Sequence, residues 1–430
     1  MGDPLDRTVT SAGAGRDEVP PLRFRLRLTH PVQGAVPLEP GKGWQVLGRG
    51  EAIPHGTVSR RHLGIRKAGL VLEARDEGSH NGTWLMGEPL DAPRFAGDGA
   101  VLRLGDVCAV IERVEEDDDA VDRAAIPGDA PSVVALRRLL GRMAPGAAHL
   151  LLLGATGTGK ERIAAEAHRL SGRGAFVAFN CAGLTPQLAD SQLFGHARGA
   201  FTGADAAHDG LFRRADGGTL FLDEVAELAP EVQAKLLRVL ETGEVTPLGG
   251  APTRVDVRVV AATHPALEAR VRDGRFRRDL HARLSIGTLT VPALRERRGD
   301  VPGWLGRFDA RWREREGGAP LAWAPEAMER AMLADWPDNL RGLDRAVYQL
   351  RTHLGPGATV TPDALGALAP ARPGEAPGEA STPEGRPGKP SAEELRRVLE
   401  ETGGSVRATA KHFQRDRKQI YRWMKAYGIG

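Results

Sequence analysis

Residues 154–161 read Gly-Ala-Thr-Gly-Thr-Gly-Lys-Glu, a spacing of small residues and one lysine that suits a loop wrapped around phosphate. Gly154, Gly157 and Gly159 free the backbone to turn its N–H groups inward, and Ala155, Thr156 and Thr158 keep the loop slim. Lys160 places a cation at the terminal phosphates of a nucleotide, and the helix start that follows adds its positive dipole end. Glu161 stands where such loops usually carry a Ser or Thr that ligates magnesium. Some sixty residues on, Asp223 and Glu224 follow the apolar run Thr219-Leu-Phe-Leu, so they emerge from the end of a buried strand. There Asp223 can hold Mg2+, directly or through water, while Glu224 orients or deprotonates an attacking water. The chemistry expected is ATP hydrolysis.

Three further clusters suit recognition. Residues 199–204, Gly-Ala-Phe-Thr-Gly-Ala, put Phe201 and Thr202 between the hinges Gly199 and Gly203, flanked by Ala200 and Ala204; an aromatic on such a tip suits contact with a partner. In the N-terminal region, Arg49 and Arg60 offer charge-assisted donors to a phosphate and Ser59 a hydroxyl. Asn81 can hold the backbone of a bound peptide, while His62 braces these loops from beneath. At the other end, residues 405–430 hold seven Lys or Arg against one Asp, a basic tip of the kind that meets DNA.

These residues need a scaffold of several modules. Residues 1–20 are polar and expected to be disordered, and residues 22–114 read as an all-β sandwich of short strands (RFRLRL, LGIRK, LVLEAR, VLRLGDVCAVIERV) separated by turns. The acidic run at residues 115–125 reads as a linker. Residues 126–370 alternate strands (LLLLG, AFVAFN, GTLFLDE, VRVVAATH, TLTVPAL) with helices, an α/β sheet with a helical lid from about residue 296. Residues 371–390 are a Pro/Gly-rich linker, and residues 391–430 are all-α. The 430 residues carry a net charge of +3, too mild to argue for nucleic acid over the whole chain. Cys108 and Cys181 lie far apart, which fits a reducing cytosol, and no apolar stretch reaches the roughly 18 residues of a membrane span. A cytoplasmic protein is expected.

The central region resembles the AAA+ ATPases that activate sigma-54 RNA polymerase, over about residues 126–350. The loop at 199–204, the GTGKE form at 157–161 and Asp223-Glu224 carry the resemblance. It implies that Asn180 pairs with Glu224 and reports nucleotide state to the loop. It also implies that Arg277 and Arg283 reach a neighbouring copy's γ-phosphate, that Arg341 senses nucleotide from the lid, and that dimers assemble into a hexameric ring. The ring size is not readable from the residues, nor is a role for His264, which stands where Asn is common. Around Arg341 the sequence departs from the family pattern, with Leu340 and Gly342 in place of the usual Val and Glu.

Gly48-Arg49, Ser59-Arg60-Arg61-His62 and Asn81-Gly82-Thr83 resemble the forkhead-associated (FHA) domain, a reader of phosphothreonine peptides; His80 departs from its usual Ser or Thr. The ligand could be another protein or the chain's own phosphorylated segment at Thr8 or Thr10. Residues 391–430 resemble a helix-turn-helix whose recognition helix offers Arg417, Lys418, Gln419, Tyr421 and Arg422 to DNA, with Gln414 and Arg415 departing from the usual turn. The whole is expected to be a sigma-54-dependent regulator that remodels the closed polymerase complex from upstream DNA under phosphopeptide control. Two alternatives are a phosphopeptide-gated DNA-binding regulator whose ATPase is vestigial and a remodelling ATPase with another target.

Overall fold

In a computed structural model the described residues are 23–39, 43–69, 71–115, 120–201, 205–355, 357–366, 392–402 and 406–413, with Ile420, Trp423, Met424 and Tyr427. They fall into two compact units, Met1–Arg372 and Pro373–Gly430. No helix among them is long and apolar enough to cross a membrane.

The first unit begins with a β-sandwich. One sheet runs Gly34–Leu38, Phe24–His30, Val107–Arg113, Val101–Leu104, Thr83–Leu85, Glu88–Pro89; the other runs Gln45–Leu47, Leu63–Ala68, Val71–Asp76, Arg94–Ala96. Alternate residues Leu102, Leu104, Val107, Ala109 and Ile111 point between the sheets into the sandwich core. The intervening residues Val101, Arg103, Cys108, Val110 and Glu112 are buried as well. They cannot face water, because a helical lid covers that face. Val101, Cys108 and Val110 belong to one apolar core with the lid residues Trp304, Leu305, Met328 and Met332.

The central region centres on a five-stranded parallel sheet, in the order Phe176–Asn180, Thr219–Asp223, Arg258–Thr263, Leu150–Leu153, Gly287–Thr290. All five strands expected from the sequence are present. Leu151, Leu220, Leu222 and Ala261 pack on one face. Leu150, Leu152, Phe221 and Val260 pack on the other. Helices must therefore cover both faces, as parallel sheets require. The lid follows as the helices Val301–Glu316, Pro325–Leu333, Asn339–Leu354 and Pro362–Gly366.

The sandwich and the central region lie in one compact unit. The segment at residues 115–125 is not free along its length: Val121 is buried in the core with Leu136, Leu140 and Leu150. An aliphatic side chain buried in this way stabilises its position by about 1.5–3 kcal/mol.

In the second unit, helices Ala392–Glu401 and Val406–His412 pack through Leu395, Val398, Ala410 and Phe413 against Ile420 and Trp423. Trp423 sits edge-on to Phe413, with ring centroids 6.0 Å apart, so it packs rather than pointing outward. The linker at residues 371–390 and the N-terminal residues 1–20 lie outside the described residues.

Candidate nucleotide and phosphopeptide sites

The phosphate loop closes onto the helix Lys160–Ser171 through Gly159, whose φ of 100° favours glycine. Lys160 is 7% exposed. Its Nζ donates to the Gly154 carbonyl at 2.9 Å and lies 3.8 Å from Glu224 Oε1, so loop and strand end converge. Glu224 adopts a left-handed φ of 52°, a costly conformation for a non-glycine residue of the kind found at functional sites. The turn is braced by its own N–H donating to Asp223 Oδ1 at 3.0 Å. A buried cation facing a carboxylate beyond hydrogen-bond reach, with a second carboxylate adjoining, is a donor set that fits a polyphosphate and its divalent ion.

Asn180 pairs in register with Asp223. Its Oδ1 accepts the Ala182 N–H at 2.8 Å, and it makes no hydrogen bond to Glu224 in this structure. Behind it, burial together with Asp223 and Glu224 pushes the Cys181 thiol up to about 12, so no thiolate joins the site. Arg341 stands beside the loop: a side-chain carbon added at Gly157 would lie 3.2 Å from its Cβ. The side chains of Arg277 and Arg283 have other partners in this structure. Arg277 is exposed and grips Asp279 with both arms, at 3.1 and 2.7 Å. Arg283 donates to the Leu240 carbonyl at 3.2 and 3.1 Å. His264 caps a turn, its Nδ1 accepting the Ala266 N–H at 3.3 Å.

Three residues at the site escaped the sequence reading. Three consecutive carbonyls of the phosphate loop accept hydrogen bonds from the lid side. Asn339 Nδ2 donates to Thr156 at 2.9 Å, the Leu340 N–H to Gly157 at 3.0 Å, and the Arg297 guanidinium to Thr158 at 3.2 Å. Asn339 is 2% exposed with a left-handed φ of 48°, and its Oδ1 also holds the Leu294 N–H. Only the Asn within Trp-Pro-Asp-Asn hinted at this, because Asn tolerates that conformation better than most residues.

The segment leading to residues 199–201 runs beside the turn at Leu248–Gly249. The Ala197 N–H donates to the Leu248 carbonyl at 2.8 Å, and the exposed Phe201 ring meets His196 edge-on at 4.9 Å. Thr202, Gly203 and Ala204 lie outside the described residues.

On the sandwich, two loops are fused at their backbones: the Arg49 N–H donates to the Ser59 carbonyl at 2.9 Å. Ser59 Oγ accepts the His80 N–H at 3.0 Å, and Asn81 Nδ2 donates to the Thr57 carbonyl at 2.7 Å. Beneath them the buried His62 accepts the Ser59 N–H at Nδ1 (2.9 Å), which leaves Nε2 to donate to Gly82 at 3.1 Å. Burial lowers its pKa and so keeps the ring neutral. Arg49, Ser59, Arg60 and Asn81 thus share one loop cluster, with Arg49, Arg60 and Asn81 exposed.

Residues 126–290 match the sigma-54 interaction domain and residues 47–105 the FHA domain. The crystal structure of NtrX from Brucella abortus in complex with ADP aligns with a TM-score of 0.53 at 32% identity, covering 70% of this chain and 69% of that one. The chain belongs to the sigma-54 activator family. Among its members, the transcriptional regulatory protein ZraR of Escherichia coli K12 is 44% identical over 223 residues, 51% of each chain. The DNA-binding transcriptional regulator NtrC of Klebsiella pneumoniae is 44% identical over 225 residues, 51% of this chain and 48% of that one. The chain spans about half the length of the curated relatives it matches. In this family member, the stretch proposed for DNA, Arg417, Lys418, Gln419, Tyr421 and Arg422, lies outside the described residues.

Proposed function

We propose that this sigma-54 activator hydrolyses ATP in a ring of its own copies and uses the loop at residues 199–204 to remodel sigma-54 RNA polymerase. Its C-terminal unit would hold upstream DNA. A phosphothreonine peptide at Arg49, Ser59, Arg60 and Asn81 would control the cycle. The observation that carries the reading is the convergence of Lys160, Asp223 and Glu224 in the same domain as the complete Gly-Ala-Phe-Thr-Gly-Ala loop.

The geometry supports the following roles. Loop N–H groups and Lys160 would bind the phosphates, and Arg341 would close on them from the lid. Glu224, held by its strained turn, would orient and deprotonate water. Asp223 would hold Mg2+, which when bound neutralises phosphate charge. The Arg277 side chain, paired with an exposed Asp279, could exchange that partner for a neighbouring copy's nucleotide; Arg283 would serve beside it. Phe201 and Thr202 would press on the polymerase.

Promoter opening by sigma-54 polymerase with ATP, comparing wild type with Thr202→Ala, tests this reading. Opening by wild type alone supports it. If both variants hydrolyse ATP and neither opens DNA, with phosphothreonine peptide present, the polymerase is not the target.

A further inference from the structure

The phosphate loop and the phosphothreonine loops lie at opposite ends of one continuous set of contacts. At the nucleotide end, Asn339, Leu340 and Arg297 hold the carbonyls of Thr156, Gly157 and Thr158. The Thr158 N–H donates within the loop to the Ala155 carbonyl at 3.4 Å, so a movement of the lid that shifts these carbonyls must shift the loop backbone with them. From Arg297 the path runs three residues to Asp300, whose N–H donates to the Arg297 carbonyl at 2.9 Å. Asp300 Oδ1 accepts Arg27 of the sandwich at 3.0 Å and also the N–H groups of Asp129 and Ala130. Burial works against the Arg27 charge, but Asp300 and Glu112 outweigh it and hold the guanidinium above its ordinary value.

A second tie lies nearer the peptide loops. Arg103 donates to Glu329 of the second lid helix at 2.8 Å and to the Gly105 carbonyl at 3.1 Å. The Gly105 turn presses on Thr57: the Asp106 N–H donates to Thr57 Oγ1 at 3.0 Å, and Thr57 in turn receives Asn81. Around both ties the sandwich and lid share a single apolar core. A joint of this kind does not slide. The sandwich must travel with the lid.

We propose that the lid holds the phosphate loop by its carbonyls, with Arg297 and Asn339 as positioning residues. The sandwich, fixed to the same lid by Arg27 and Arg103, thereby couples phosphothreonine binding to nucleotide binding. This rests on the functional reading above. Coupling of this sort is reciprocal, since each ligand must change the other's affinity by the same factor.

The test uses the full chain, a slowly hydrolysed fluorescent ATP analogue, and a peptide pool with a central phosphothreonine or the same pool unphosphorylated. The phosphorylated pool should shift the nucleotide Kd at least fivefold, and the nucleotide should shift the peptide Kd equally. Arg103→Met with Glu329→Leu removes the tie without leaving a buried charge; both ligands should still bind, with coupling cut at least threefold. Arg297→Ala should raise KM for ATP about tenfold with kcat within threefold, and Arg297→Lys should recover part of it. In the unaltered chain, hydrogen exchange at residues 101–113 should change when the ATP analogue is added. Both ligands binding without mutual effect, or exchange at residues 101–113 indifferent to nucleotide, overturns the proposal. Wild type that binds no phosphothreonine peptide overturns the sandwich reading itself, and the proposal with it.

Discussion

Arg103 of the sandwich and Glu329 of the lid form an ion pair 2.8 Å long in which each side chain is 6% exposed. The Arg103 guanidinium also lies 3.5 Å from the centroid of the Trp84 ring. Arg103→Ala would strand a buried carboxylate and should cost about 3–5 kcal/mol, whereas Arg103→Met with Glu329→Leu should recover most of it. Urea unfolding of the three chains decides this. Equal losses in both variants would mean that packing, and not the charge, holds the joint.

The same pair marks what the sequence could not reveal. Lys160, Asp223, Arg49 and Asn81 sit in short local patterns whose spacing carries their chemistry, and four of the five sheet strands are largely apolar runs. Arg103 and Glu329 are 226 residues apart, and nothing local in either position names the other. One signal was legible. The run Val101-Leu-Arg-Leu-Gly-Asp-Val-Cys-Ala-Val-Ile is nearly unbroken where a solvated sandwich face would alternate, and it is buried on both faces. Reading it that way would have placed a cover over the sandwich. It also shows why deleting residues 1–114 is a poor test of regulation, since it would uncover the lid core around Met328 and Met332.

Among the described residues the Arg277 side chain pairs with the exposed Asp279, so Arg277→Ala should leave the chain folded and able to bind ATP. Its turnover should fall by about 10³-fold if the arginine completes a neighbouring copy's site. Mixing Arg277→Ala with Lys160→Ala chains should restore part of the activity, because each supplies what the other lacks. An arginine acting on its own chain's nucleotide would give no recovery in the mixture.

Stability should fall in acid through His149. Burial, with the charges of Arg283 and Arg258, pushes its pKa down to about 4, and its Nδ1 accepts the Val259 N–H at 3.1 Å. The unfolded ring takes a proton near pH 6.5 and the folded one does not, so the unfolded state binds more protons below that pH. Stability is therefore whole above pH 6.5 and is lost as pH falls toward 4, by about 2 kcal/mol at pH 5 and about 3 kcal/mol at pH 4 and below. His149→Gln keeps an acceptor for Val259 without the titration. Its unfolding free energy should be flatter over that range than the wild type's; parallel curves would assign the acid loss to other groups.

The proposed phosphothreonine site depends on a glycine as much as on its arginines. A Cβ on Gly48 would land on the Arg60 carbonyl and 2.7 Å from the Ser59 carbonyl. Both obstacles are backbone, so no side chain can swing aside. The loops bearing Arg49 and Arg60 would have to part, breaking the bond from the Arg49 N–H to Ser59. Gly48→Ala should thus weaken phosphothreonine-peptide binding at least a hundredfold at a folding cost of about 1–3 kcal/mol, with ATP binding retained. Gly56→Ala, in open space on the neighbouring loop, should change neither. Titrating both variants with phosphorylated peptide separates two accounts of the site. If Gly48→Ala binds as wild type does, Arg49 and Arg60 do not grip one phosphate together.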